Sequence, residues 1–460
     1  MERIYSELDR FSQWPTDQRV AALKNLLPEE VVRQTAAESA LPSRYCKRLP
    51  NWFLLWFVVG LGLFCRDSHR QVFKWLQPFG DGETPGNGTP GRSTLCMARR
   101  RLGIAPLRRL AARTVTLLAT HSTPGAFHHG LRLMGLDGFV MDLADSPANE
   151  RAFGRPKSGR GKSAWPQARV LSLCELGTHV LWRSQVKPCH RGEQPMAAGL
   201  LRHLTAGMLL LWDRNFFSYS LVRQVVVTQK AQLLARVKTG LIFRPIRTLS
   251  DGSYLAMAYE SGRHRDRDEG GILVRIIEYT LTDPGRTGHA RKHRLLTTLL
   301  DEKLDPATDL VVLYHERWEE ELTIDELKTH QRERPVLRSE TPAGVVQEIE
   351  GLLIAHGLVR RVMAEAAERA GVAPRRVSFT GALKVLRCRL AECPSDRRGR
   401  EQWHERLIRE IAEEILPERR PRINPRVIKK KMSNWKKKRP EDRASTFPRK
   451  PFRETINILD

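Results

Sequence analysis

Residues 207–213, Gly-Met-Leu-Leu-Leu-Trp-Asp, form a continuous apolar run that ends in an acid. A run with no polar side suits a fully buried strand. Residues 232–238 are a second such strand, and residues 219–230 between them read as a helix. Upstream, residues 131–143 read as a strand. Residues 168–176 and 179–186 make a hairpin about Gly177-Thr178, and a helix follows near 192–204. Strand, hairpin, helix, strand, helix, strand is an α/β succession. An acid at the end of a buried strand is costly unless it is paired or holds a metal. The strand ends are therefore where chemistry is expected.

The flanks read differently. Residues 1–120 are helical in pattern. The apolar run 52–65 is shorter than the roughly 20 residues that span a bilayer, so it predicts a buried core helix. Residues 78–90 are dense in Gly and Pro and read as a loop. Residues 93–103 predict a capped basic helix closed by Gly103, carrying Arg99, Arg100 and Arg101. A second basic helix follows over 106–120. The pair is either a helix-turn-helix reader of DNA or a plain helical hairpin. Residues 239–300 hold short strands and turns, and helices are expected over 344–369 and 378–391. Residues 419–439 contain 11 Lys and Arg and no acid, the composition of a solvated arm or of one that follows a DNA backbone.

The 460 residues carry 78 Lys and Arg against 52 Asp and Glu, a formal net charge of +26. That balance points to a polyanionic partner. The seven cysteines are scattered and form no C-x-x-C pair, which excludes a disulfide framework and a structural zinc site and fits a reducing cytoplasm. Cys189-His190 reads as structural. The N-terminus lacks the basic, apolar and small-residue succession of a signal peptide.

Read as one helix at about 100° per residue, Tyr314, Arg317, Glu321 and Lys328 fall inside a stripe roughly 60° wide. Leu322 and Leu327 point elsewhere and are expected to pack inward, as is Trp318. Taken alone, the stripe is a salt-bridged surface. It gains meaning if Glu321 meets Asp213 and a third acid from the strand at 131–143. Asp137, Asp142 and Asp145 compete for that place. Asp142 has the opposite strand parity, and Asp145 lies eight residues on, about 27 Å at strand rise. Asp137 is favoured, and Asp145-Ser-Pro-Ala-Asn149 reads as turn chemistry. Three carboxylates suit Mg²⁺ or Mn²⁺, and two such ions would act on a phosphodiester.

The spacing Tyr314-(2)-Arg317-(3)-Glu321-(6)-Lys328 resembles the Y-R-E-K signature of bacterial insertion-sequence transposases of family four, the DDE cut-and-paste group. Asp137-Gly138, Asp145 to Asn149, Phe153-Gly154, Gly192-Glu193 and Leu210 to Phe216 are similar to that family's aspartate regions. Ala98 to Gly103 and Asn424 to Ser433 extend the likeness over most of the chain.

The resemblance implies a ribonuclease-H-like core interrupted by a β-strand insertion, with a helical N-terminal DNA-binding region and a helical, basic C-terminal region. The corresponding divisions are 1–125, 126–238, 239–305 (the insertion), 306–395 and 396–460. It further implies that Asp137, Asp213 and Glu321 hold two Mg²⁺ ions, with Mn²⁺ an alternative. Arg317 and Lys328 would neutralise phosphates and Tyr314 would hydrogen-bond one. Arg214, Arg99, Arg100 and Arg101 are the further DNA contacts expected. Partners are double-stranded DNA, as terminal inverted repeats and target, and a second copy of the chain. The place of action is the bacterial cytoplasm at the nucleoid, with no membrane. Two other readings stand beside this one: an inactive transposase-derived DNA-binding protein, and a structure-selective nuclease of the same fold.

Overall fold

The computed structural model describes residues 26–38, 49–76, 90–158, 161–162, 165–238, 240–284, 288–394, 396–417 and 450–459. The basic stretch 419–439, the motif at 424–433 and nearly all of the 78–90 loop lie outside these residues. The chain forms two compact units. The first comprises Met1–Phe127, Asp137–Met196 and Glu319–Leu416; the second comprises His128–Leu136, Ala197–Trp318 and Pro417–Asp460.

Helices dominate the first unit. The 52–65 run becomes the helix Asn51–Leu63, in which every residue from Phe53 to Leu63 is buried. A helix that is apolar all round belongs in a core, and no helix among the described residues is long and apolar enough to cross a membrane. Its partner is the long helix Pro342–Ala370, capped by the Thr341 side chain at one end and by left-handed Gly371 at the other. The two backbones touch. A Cβ on Gly62 would stand 2.3 Å from the Gly351 carbonyl oxygen, and one on Gly351 would stand 2.5 Å from the Val58 carbonyl oxygen. Only glycine permits that approach. Gln331 Nε2 then donates to the carbonyls of both Gly62 (3.1 Å) and Leu352 (2.9 Å).

The basic helices occupy Arg92–Leu102 and Ala105–Thr114, the second shorter than its sequence pattern suggests. Gly91, and not Ser93, is the N-cap of the first, while Gly103 closes it at φ 71° as expected. Helices Phe379–Arg389 and Arg397–Ile411 complete the bundle.

The strands are numbered in chain order: β1 Leu131–Leu143, β2 Gln167–Glu175, β3 Val180–Pro188, β4 Met208–Trp212 and β5 Gln232–Arg236. Strand β1 contributes its second half to the first unit, where β2 lies beside it and β3 pairs antiparallel with β2. The β2–β3 turn departs from the sequence reading. His179 takes the left-handed conformation, φ 61°. Gly177 is needed for space instead, because a Cβ there would meet Ala126 Cβ at 2.4 Å.

In the second unit, the first half of β1 runs parallel to β4, and β4 parallel to β5. Antiparallel strands then continue from β5 through His293–Thr297, Ile272–Leu281, Tyr254–Ala258 and Pro245–Thr248. Arg275, fully buried, ties this region together. It pairs with Asp251 and donates to Ser253 Oγ at 2.8 Å and the Asp305 carbonyl at 2.6 Å. A β1-β2-β3 meander followed by parallel strands β4 and β5 gives the α/β, ribonuclease-H-like core that the sequence implies, with its β-rich insertion.

Candidate active site

Leu136 of β1 and Trp212 of β4 are register partners. Each is followed directly by an aspartate, Asp137 and Asp213.

Asp137 is half-buried, and its Oδ1 accepts the Gly138 N–H at 2.7 Å. A side chain at Gly138 would strike the Glu193 carboxylate, whose oxygen stands 2.7 Å from the position of a Cβ. Glu193 opens the helix Glu193–Leu201 and is ion-paired with Arg169. Asp142 accepts from Gln167 Nε2 at 2.7 Å, and Asp145 pairs with Arg155. Ser146 caps the helix Pro147–Phe153 through the Asn149 N–H, the turn chemistry expected there.

Asp213 is also half-buried. It is the N-cap of the short turn Arg214–Phe216, and its Oδ1 accepts the Arg214 N–H at 2.6 Å. The Arg214 side chain is exposed. Tyr314 is buried and donates its hydroxyl to the Trp212 carbonyl at 3.2 Å. The phenol therefore braces the backbone immediately before Asp213 and does not open to solvent. Burial pushes its pKa up; the nearby Arg317 charge opposes that and the Asp213 charge reinforces it.

The stretch 314–328 is not one helix. The helix Ala307–His315 ends in a tight turn in which Glu316 and Arg317 N–H groups bond three residues back, to Leu313 and Tyr314. A new helix runs Trp318–Asp325, and Glu326–Gln331 winds as a π-helix. Both departures change the angle per residue, so the straight 60° stripe does not survive. Arg317 sits in the break, buried, with its guanidinium 5.5 Å from the centre of the Trp318 ring. Trp318 is half-buried and so only partly core. Leu327 packs inward as expected, whereas Leu322 is 38% exposed. Glu321 is half-buried on the middle helix. Lys328 is half-buried, and burial lowers its pKa, aided by Arg332 and opposed by Asp142.

The N-terminal arginines separate. Arg99 is buried: it donates to His69 Nε2 at 2.9 Å and to the Gly344 carbonyl at 3.0 Å. Burial, with the Arg99 charge, holds the His69 pKa down to about 3, so the imidazole is a neutral acceptor. Arg101 donates to the Leu49 carbonyl at 2.8 Å, and Arg100 is exposed.

Two groupings had no signal in sequence. His179, Glu319, Glu326 and Arg360 form a buried cluster in the first unit. In the second, His128, His129 and Asp305 are the one set of three His, Cys, Asp or Glu among the described residues whose ligand atoms lie within 4.8 Å of each other. That set shares no residue with the expected triad, and His128 Nε2 already stands 2.6 Å from Asp305. Residues so far apart along a chain leave no periodic trace.

Residues 17–112 match the family model described as insertion element 4 transposase N-terminal, and residues 128–358, half of the chain, match the transposase DDE domain. This chain belongs to the IS4 family of DDE transposases. It is 29% identical over 423 residues to the transposase InsG for insertion sequence element IS4 of Escherichia coli (strain K12), covering 91% of this chain and 93% of that protein. The putative transposase InsZ of the same organism is 27% identical over 197 residues, which cover 43% of this chain and 64% of that protein. A solved structure of the piggyBac transposase synaptic complex with hairpin DNA aligns at TM-score 0.44 and 13% identity, over 88% of this chain and 87% of that one. The chain is thus a DNA transposase, an enzyme that transfers polynucleotide strands with divalent metal. The six described cysteines are all free.

Proposed function

We propose that this transposase cuts DNA at the terminal inverted repeats of its element and joins the freed 3′-hydroxyls to target DNA, using Asp137, Asp213 and Glu321 as metal ligands. The observation that carries the reading is the Leu136–Trp212 register pair, with an aspartate directly after each partner. All three proposed ligands are carboxylates and none is fully buried. An all-oxygen donor set fits Mg²⁺ or Mn²⁺. Each aspartate has one oxygen fixed by the next residue's N–H, which limits the rotation of the carboxylate. Divalent metal held there would supply Lewis acidity at a phosphodiester and lower the pKa of the attacking water or hydroxyl.

The protein's own work is positioning and charge neutralisation. Asp213 is set by the Trp212 backbone, which Tyr314 braces; this is the role we assign to Tyr314 in place of a phosphate contact. Arg317, held against Trp318, and Lys328 offset phosphate charge near the cut. Arg214 and Arg100, both exposed, contact DNA. The internal bonds of Arg99 and Arg101 build the helical region that presents Arg100. Two copies of the chain pair the two element ends, and the enzyme works in the cytoplasm at the nucleoid. The test is excision from a supercoiled plasmid carrying the element's own ends with Mg²⁺. Specific end binding without cleavage in any divalent metal would favour an inactive DNA-binding descendant. Cutting of branched DNA that lacks the repeats would favour a structure-selective nuclease.

A further inference from the structure

The helix that carries Glu321 is an unusual one to bury. Its inward residues include Glu319 and Glu320, at 6% and 0% exposure. Carboxylates are not placed in a core without compensation. For Glu319 the compensation comes from another segment of the same unit.

His179, 1% exposed, stands 2.8 Å from Glu319 Oε2 through Nε2 and 3.0 Å from Glu326 Oε1 through Nδ1. Glu319 and Glu326 are seven residues apart, and both carboxylates reach the one imidazole. Arg360, also 1% exposed, completes the cluster. Its Nε donates to Glu326 Oε2 at 3.0 Å, and its Nη2 pairs with Glu326 Oε1. His356 Nε2 lies 3.4 Å from Glu326 Oε2. Burial alone would raise the Glu326 pKa, but Arg360 and His179 outweigh it and hold the carboxyl well below its usual range.

The clamp has a rigid base. Arg360 and His356 project from the long helix Pro342–Ala370, which rests backbone to backbone on the helix Asn51–Leu63 through Gly351 and Gly62. His179 is fixed in the β2–β3 turn by its left-handed backbone, with its N–H donated to the Glu175 carbonyl at 2.8 Å. Glu321 follows Glu319 by two residues, about 200° round the helix. The clamp thus grips the side of the helix away from Glu321. Glu326 is also the first residue of the π-helix, where the winding changes.

We propose that His179, Glu326 and Arg360 are positioning residues that fix the rotation of the Glu321 helix and so set the affinity of the carboxylate site for divalent metal. This rests on Glu321 being a metal ligand. The arrangement is an outer support for a ligand, delivered through a helix and not by direct contact. Removing such support weakens metal binding by about 10- to 100-fold in other sites.

The test uses the full-length chain, with Mn²⁺ binding read by electron paramagnetic resonance and amide hydrogen exchange read over residues 319–331. Glu326→Gln keeps the shape and removes the charge; His179→Gln keeps a polar side chain. Both should weaken Mn²⁺ binding by about tenfold or more and speed exchange over 319–331. Arg360→Lys should restore part of what Arg360→Met loses. Unchanged Mn²⁺ affinity in a folded Glu326→Gln protein would overturn the proposal. So would failure of all these variants to fold, which would assign the cluster to stability alone. Glu321→Gln separates the two readings. If it binds Mn²⁺ like the parent, the carboxylate assignment is wrong. If it loses Mn²⁺ while Glu326→Gln and His179→Gln keep it, only the positioning role falls.

Discussion

Tyr314→Phe separates a brace from a phosphate contact. The ring remains, so no cavity forms; one hydroxyl is lost from the 3.2 Å bond to the Trp212 carbonyl. The group is buried, so that carbonyl loses a donor which water cannot replace at once. The loss should be about 1–2 kcal/mol of folding stability, read as a lower midpoint in urea at unchanged slope. Any effect on cleavage should be of similar size, about 5- to 30-fold, because it acts through the seating of Asp213. The parent adds a pH signature. Its phenol pKa lies above the usual 10.0 in the folded state. The folded state therefore holds that proton more tightly than the unfolded state. The stabilisation is complete below pH 10 and falls as pH rises through the folded value. Tyr314→Phe should flatten that alkaline slope. Unchanged stability together with a large loss of cleavage would refute the argument and return the hydroxyl to the DNA.

Gly62→Ala or Gly351→Ala should each cost about 1–3 kcal/mol by denaturation, since the new methyl meets backbone and not a movable side chain. The depressed Glu326 pKa contributes stability that is present above its usual 4.5 and is lost as pH falls through the folded value; acid titration of Glu326→Gln should lack that component. End binding should weaken linearly in log–log salt plots, and deleting residues 419–439 should reduce the slope by about 0.9 for each phosphate contact removed.

The apolar strands were legible because burial on both faces leaves one reading. Met208–Trp212 is buried at every position, and residues 131–143 form a strand over the limits read for it. Asp213 was legible for the same reason: nothing apolar explains an acid at the end of Met208–Trp212. The helix break at Glu316–Arg317 was not. No Gly or Pro marks it, and it is made by a local three-residue bonding pattern that composition does not encode. Arg99 looked like its exposed neighbour Arg100. What buries it is the segment around Gly344, 245 residues away. His179 was hidden in the same way, since a turn residue gives no hint of two carboxylates 140 and 147 positions downstream.

The central claim is that Asp137, Asp213 and Glu321 act as one metal-binding set on DNA. The direct measurement is strand cleavage of end-bearing DNA in Mg²⁺ by the parent and by Asp213→Ala, with binding to the same DNA followed in parallel. The account predicts cleavage by the parent and none by Asp213→Ala, with binding largely kept. Cleavage by Asp213→Ala at the parent's rate would contradict it.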